Sequence, residues 1–229
     1  MSPVWCVVPA AGCGSRVGDA CPKQYLPLAG QPLIWHTLRR LAGHPAIAGL
    51  LVVLAPADRR WPGWHELAGK PVLTAIGGAT RSASVLAGLV ALPAQVVATD
   101  FVLVHDAARP CVRAVDVTRL LEQATRADGG LLATPVRDTL KVADAQGRSD
   151  RTEPRGHYWR ALTPQLFRRA ALAAALTAAA EAGVAVSDEA MAMELAGYAP
   201  LLVEGAQDNL KVTTREDFAL AEFLLTRTV

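Results

Sequence analysis

The chain has 229 residues, 52% of them apolar and 19% charged, with a formal net charge of +2. That size suits one α/β domain with a sizeable core, and the near-balanced charge excludes a broad basic face for nucleic acid or membrane. An anionic ligand must then be held by a few placed cations. No apolar run is long enough to span a bilayer, and the start lacks the basic region and cleavage site of a signal peptide. Cys6, Cys13, Cys21 and Cys111 show no C-x-x-C and no matching histidine spacing, which favours reduced thiols over zinc or disulfides.

Along the chain, Val4–Val8 reads as the first strand, and a loop rich in small residues follows, Pro9-Ala10-Ala11-Gly12-Cys13-Gly14-Ser15-Arg16. Pro22-Lys23-Gln24-Tyr25 adds a second cation. Pro32–Leu41 places Leu33, Ile34, Leu38 and Leu41 on one helical face. Leu50–Leu54 and Val72–Ile76 read as strands. Arg81–Leu92 reads as a helix with Thr80 as its cap. Phe101–Val104 is a strand, 115–124 a helix and Leu131–Thr134 a strand. Helices are expected over Pro164–Ala182, Asp188–Ala196 and Thr214–Leu225, the last capped by Thr213 with Glu216 three positions on. Asp188 and Glu189 are expected to stabilise the positive end of their helix.

Strands alternating with helices point to an α/β fold, a Rossmann-like, mostly parallel sheet with helices on both faces. Residues from Thr139 to about Arg155 break the pattern, being polar and turn-rich around Asp144-Ala145-Gln146-Gly147. They read either as a strand–turn–strand arm lying against a second subunit or as a mobile loop.

In such sheets ligands sit beyond the carboxyl ends of the strands. Glycines there let backbone N–H groups approach an anion, and Arg16 and Lys23 add a planar fork and a point charge. The first loop is neither a Walker A motif nor a full G-x-G-x-x-G, since Val17 fills the third glycine position. On its own it also reads as a turn with surface cations. Other strand ends carry Gly77-Gly78-Ala79-Thr80-Arg81, His105-Asp106-Ala107-Ala108-Arg109-Pro110, Arg137-Asp138-Thr139 and Asp208-Asn209-Leu210-Lys211. Arg16, Lys23, Arg109 and Lys211 are therefore expected to converge on one crevice.

Together "PAAGCGSR…CPKQY", "GGATRSASVLAGL", "VLVHDAARP", "PVRDTLK", "ALTPQLF" and "DNLKVT" resemble, in order and over essentially the whole chain, the 2-C-methyl-D-erythritol 4-phosphate cytidylyltransferase family. The resemblance implies a fold of the nucleotide-diphospho-sugar transferase type, one domain over 1–229 with a protruding β-arm at about 137–156. With the sequence ending at Val229, the cyclodiphosphate synthase domain fused to some members is not expected. The implied reaction moves CMP from CTP to 2-C-methyl-D-erythritol 4-phosphate, with release of pyrophosphate, in isoprenoid precursor synthesis.

By the same resemblance, Arg16, Lys23 and Lys211 stabilise the transition state. Cytidine would lie against Ala10, Ala11, Gly12, Gly78 and Ser84, with Asp106 and Ala107 near the ribose. The methylerythritol phosphate would meet Asp106, Arg109, Thr139, Arg155, Thr163 and Lys211. Mg²⁺ or another divalent cation would be bound mainly through CTP phosphates, with no protein ligand assigned. A cytoplasmic homodimer formed through the arm is implied. Ala79 stands where the family often carries an acidic residue.

Each residue also has a plain structural reading: Asp106 pairing with Arg109, Thr163 capping a helix, Ser84 facing solvent, Arg155 as a solvated charge. His105 is expected to be a structural hydrogen-bonder rather than a base. The competing functions are a cytidylyltransferase for another phosphate such as ribitol 5-phosphate, and a non-catalytic nucleotide-binding protein.

Overall fold

The computed structural model describes residues 3–12 and 21–227; Cys13 and Arg16, with the rest of 13–20, lie outside the described residues. β1 (Val4–Pro9) is followed by a 3-10 turn at Lys23–Tyr25 and a small hairpin of β2 (Pro27–Leu28) and β3 (Gln31–Pro32). Next come α1 (Leu33–Ala42), β4 (Ile47–Leu54), β5 (Glu66–Leu67), β6 (Lys70–Ile76) and α2 (Arg81–Ala91). β7 (Phe101–Val104), α3 (Ala114–Ala124), β8 (Gly130–Pro135), β9 (Leu140–Ala143) and β10 (Ser149–Glu153) continue the chain. It closes with β11 (Trp159–Arg168), α4 (Arg169–Glu181), α5 (Glu189–Leu195), β12 (Leu201–Glu204) and α6 (Arg215–Thr226).

Among the described residues the main sheet has the order β12-β8-β11-β7-β1-β4-β6-β5. β1 runs parallel to β4 and β7, β4 to β6, and β8 to β12, while β11 is antiparallel to both β7 and β8. The carboxyl ends of β1, β4, β6, β7 and β8 therefore share one edge, where such sheets hold ligands.

The apolar strands are buried on both faces, which explains their near-continuous hydrophobicity. Val4, Cys6 and Val8 point into one core with Ile34, Leu38 and Leu41 of α1 and Val117, Leu120 and Leu121 of α3. Trp5 and Val7 point into the other with Val85 and Leu89 of α2 and Leu172 and Leu176 of α4. Gly88 lets α2 settle close to the sheet. A Cβ there would lie 2.6 Å from Val7 Cγ1 and 2.8 Å from Val53 Cγ2. This close seat delivers the start of α2 to the carboxyl edge.

Three expectations need correction. The helix expected from Pro164 begins at Arg169, and Pro164–Arg168 complete β11. Thr163 consequently lies inside a strand and caps no helix. The physical reason is burial: Leu166 and Phe167 are fully buried, one in each core, between β7 and β8. The register with β8 is irregular between Ala161 and Gln165, which accommodates a proline lacking an N–H. Secondly, α6 is capped by Thr214, one residue later than expected, and the reciprocal partner is Asp217 rather than Glu216. Asp217 Oδ2 accepts from the backbone of both Thr213 and Thr214, so the carboxylate decides the frame. Thirdly, Asp188 and Glu189 stand at the start of α5 as expected, but only Asp188 caps it, and the Glu189 carboxylate also pairs with Arg81 of α2.

The polar segment forms an antiparallel pair of β9 and β10 outside the main sheet. Asp144 builds its turn: Oδ1 accepts from the N–H groups of Gln146 (2.9 Å) and Arg148 (2.8 Å). Most of the arm's side chains are exposed, and Tyr158 and Trp159 at its foot are also exposed.

Candidate active site

At the end of β1, Ala10 is tied to the sheet by its N–H to Val53 O (2.8 Å). Gln24, buried in the following 3-10 turn, donates through Nε2 to the carbonyls of Ala10 (2.8 Å) and Gly12 (3.1 Å). It thus fixes the backbone path of the first loop. Beside it, Lys23 Nζ donates to Val212 O (2.7 Å), joining this turn to the segment before α6.

The second wall is the Gly77-Gly78 loop. A Cβ on Gly77 would lie 2.7 Å from Ser84 Oγ and 2.8 Å from Ala11 Cβ, so only glycine lets the loops after β1 and β6 meet. Thr80 caps α2 as expected, its side chain accepting from Ala83 N (3.1 Å). Ser84 is buried rather than solvent-facing, and its hydroxyl donates to Thr80 O (2.9 Å). Ala10, Ala11, Gly12, Lys23, Gly78, Ser84, Asp106, Ala107 and Lys211 all line one pocket of about 330 Å³.

Asp106 is the electrostatic centre of that pocket. Arg81 Nε lies 3.1 Å from its Oδ1, while Arg109 Nε (3.2 Å) and Lys211 Nζ (3.1 Å) share Oδ2. Burial alone would raise this carboxyl; the three cations more than reverse that and hold it well below the ordinary carboxylate range. Arg81 in turn forms a two-pronged pair with Glu189, Nη1–Oε1 2.6 Å and Nη2–Oε2 3.0 Å. Burial pushes the Glu189 carboxyl up against the pull of Arg81.

The loop carrying Asp106 is pinned from behind. Thr163 Oγ1 accepts from Asp106 N (3.0 Å) and contacts His105 Nδ1 (3.0 Å). His105 Nε2 faces the carbonyl of Arg109 (3.1 Å), an acceptor, so the proton sits on Nε2 and the threonine hydroxyl donates to Nδ1. Asn209 Nδ2 donates to Thr163 O (2.7 Å), and Arg109 Nη1 donates to Asn209 O (2.8 Å). His105 is therefore a structural hydrogen-bonder, as its sequence context suggested. Burial lowers it to about 4. Between pH 4 and 6.5 the unfolded chain then takes up a proton here that the folded chain refuses. Stability should rise with pH across that window, by up to about 3 kcal/mol from this group. Urea unfolding of wild type and His105→Gln at pH 4.5 and 7 checks this, the variant showing the shallower pH dependence.

The remaining expected residues that are described lie apart from the pocket lining. Arg109 is nearly buried behind Asp106, and Thr163 is buried in β11. Thr139, at the base of the arm, and Arg155, just after it, are exposed. Arg16 lies outside the described residues. Sequence reasoning missed Arg81, Gln24 and Glu189. The signal for Arg81 was its place at the first position of α2, where a cation opposes the helix dipole and needs carboxylate partners. Among the described residues, no group of three or more His, Cys, Asp or Glu forms a metal cage.

Compared with known proteins, the chain matches the 2-C-methyl-D-erythritol 4-phosphate cytidylyltransferase family over residues 4–227. It is 62% identical to the protein of that name from Stenotrophomonas maltophilia over 226 residues, covering 98% of this chain and 97% of that one. A crystal structure of 4-diphosphocytidyl-2C-methyl-D-erythritol synthase superimposes with a TM-score of 0.84 at 35% identity, covering 98% of this chain and 99% of that one. The crystal structure of the Thermus thermophilus cytidylyltransferase gives 0.80 at 35% identity, covering 97% of this chain and 98% of that one.

Proposed function

Because the chain belongs to the 2-C-methyl-D-erythritol 4-phosphate cytidylyltransferase family, we propose that this pocket is where CMP passes from CTP to that phosphate. The products are 4-diphosphocytidyl-2-C-methyl-D-erythritol, an isoprenoid precursor, and pyrophosphate. The observation that carries the site assignment is the pocket's chemistry: Arg81 and Lys211 meet on the carboxylate of Asp106, and Lys23 lines the same pocket, with Ala10, Ala11, Gly12 and Gly78 in its wall.

The nucleophile is a phosphate monoester oxygen, already anionic at neutral pH. It attacks the α-phosphorus of CTP, and the bond to the bridging oxygen of pyrophosphate breaks. No proton must be removed, so a buried, neutral His105 is no obstacle. The difficulty is bringing two anions together, and placed cations and positioning meet it. Lys23 and Lys211 supply charge at the α-phosphate, with Arg16 assigned the same task. Cytidine rests against Ala10, Ala11, Gly12, Gly78 and Ser84. Asp106, beside Ala107, accepts from ribose or acceptor hydroxyls.

Arg109 and Thr163 act from behind, since their polar groups already hold Asp106 and its loop. A divalent cation such as Mg²⁺ suits this donor set when carried by the triphosphate, because the oxygens of Asp106 face three cations. Bound there, it would neutralise charge on the leaving pyrophosphate.

Thr139 and Arg155 reach substrate in this reading from a partner's arm. The exposed Tyr158 and Trp159 at the foot of that arm support a homodimer. Cys6, Cys21 and Cys111 are free thiols, which supports a cytoplasmic setting. The test is subunit mixing. Lys23→Ala and Arg155→Ala variants, each inactive alone, should regain about a quarter of wild-type activity after random reassortment, because half the dimers then hold one intact site. No recovery in a mixture shown to contain the mixed dimer would remove the shared site.

A further inference from the structure

We infer that Glu189 is a positioning residue for the transfer step, acting through Arg81 on Asp106; this rests on the proposed cytidylyl transfer in the pocket. The carboxylate of Glu189 has 0% exposure and takes both terminal nitrogens of the Arg81 guanidinium. That leaves Nε of Arg81 to face Asp106 Oδ1. A fork held at both prongs has no rotational freedom, so the edge that meets Asp106 is fixed.

Two features argue that this arrangement serves the pocket rather than helix α5. Asp188 already caps α5, with Oδ1 accepting from Met191 N (3.0 Å), and Gln165 Oε1 accepts from Ala190 N (2.8 Å). The cap of α5 is thus supplied without the Glu189 side chain, which is engaged by Arg81. A buried ion pair, moreover, contributes little net stability compared with an apolar pair of similar size, because desolvation offsets the attraction. What the pair does provide is a fixed place for Arg81, which lines the pocket and stands at the first turn of α2. There the helix dipole repels a cation, and Glu189 and Asp106 hold it in place.

The frame behind the relay is a single strand. Gln165 of β11 fixes the start of α5 through Ala190 N and through its Nε2 to Asp188 Oδ2 (2.9 Å). Thr163 of the same strand fixes Asp106 through its backbone N–H. Both ends of the Glu189–Arg81–Asp106 line are thus mounted on β11, and a shift of either would re-aim the carboxylate oxygens at the pocket floor.

The test is Glu189→Gln in the full chain, assayed with CTP, Mg²⁺ and methylerythritol phosphate beside wild type. The glutamine keeps one acceptor for Arg81 and sets an NH₂ against its second prong. The expected result is a fall in kcat of about tenfold or more, with KM for both substrates within about threefold, in protein that melts well above the assay temperature. Arg81→Lys keeps the charge and loses the fork. Combined with Glu189→Gln, it should cost about as much as either change alone, since both break one relay. Wild-type kcat in folded Glu189→Gln, or losses that multiply to about a hundredfold in the double variant, would overturn the inference. Should Glu189→Gln fail to fold, Glu189→Asp, one methylene shorter and still charged, reads the same way. A wild-type enzyme that forms no product would overturn the reaction assignment and this inference with it.

Discussion

Lys23→Ala should lower kcat about a thousandfold, equivalent to about 4 kcal/mol of barrier, while the protein stays folded. The lysine lines the pocket that Gly12 and Asp106 also line, and its ammonium reaches Val212 O at 2.7 Å. The group proposed to meet phosphate also ties the 3-10 turn to the segment before α6. Losing one charge-assisted hydrogen bond at a half-buried position costs about 1–3 kcal/mol of stability, which a domain of this size tolerates. Losing a positive charge where negative charge accumulates affects the barrier far more. Lys23→Arg should recover part of the rate, since it restores charge in a different shape. Single-turnover kinetics with saturating CTP separate the chemical step from binding. A normal chemical rate in Lys23→Ala would remove it from the transition state.

Asp106→Asn should be the most damaging single change to the site, in stability and in turnover together. The isosteric amide removes the anion that Arg81, Arg109 and Lys211 share. Three cations would then face one another beside the pocket, with Glu189 balancing Arg81. Breaking a buried pair in this way costs about 3–5 kcal/mol. A fall in turnover of at least about a hundredfold should accompany it, because the proposed hydroxyl acceptor is lost and the cations are free to move. The acid limb of stability carries a second signature. The folded carboxyl lies below its unfolded value, so its contribution is complete above the ordinary carboxylate range and is lost as pH falls through and below it. Wild type should therefore lose more stability than Asp106→Asn between pH 7 and pH 3 in urea titrations. Equal loss in the two proteins would mean that Asp106 does not carry this linkage.

Much of the architecture was legible because burial on both faces leaves a plain mark. Val4–Val8 and Phe101–Val104 are continuous apolar runs, and their loops fell at the carboxyl edge as expected. β11 was not legible, since a proline after a threonine is a good helix start and a poor central strand residue. Only the cover that β7 and β8 give to Leu166 and Phe167 overrides that preference. β12 was missed for a related reason: it is a four-residue edge strand with exposed Leu201 and Leu202.

The gathering of Lys23, Asp106 and Lys211 around one pocket was legible, since each is a charged residue in a connecting segment between regular elements. Residues that act through long-range pairing were not. Arg81 and Glu189 are 108 positions apart, and nothing local to either shows that one closes on the other. Thr163 was expected at the acceptor phosphate, and its service to the backbone of Asp106 emerges only once β11 lies beside β7.

The decisive measurement is acceptor-dependent pyrophosphate release by the purified protein with CTP and Mg²⁺. Methylerythritol phosphate, ribitol 5-phosphate and no acceptor are compared at equal concentration, and the product is identified by mass. Release is expected only with methylerythritol phosphate, matched by formation of 4-diphosphocytidyl-2-C-methyl-D-erythritol. Release with ribitol 5-phosphate alone, or CTP binding without turnover on either acceptor, would contradict the assigned reaction.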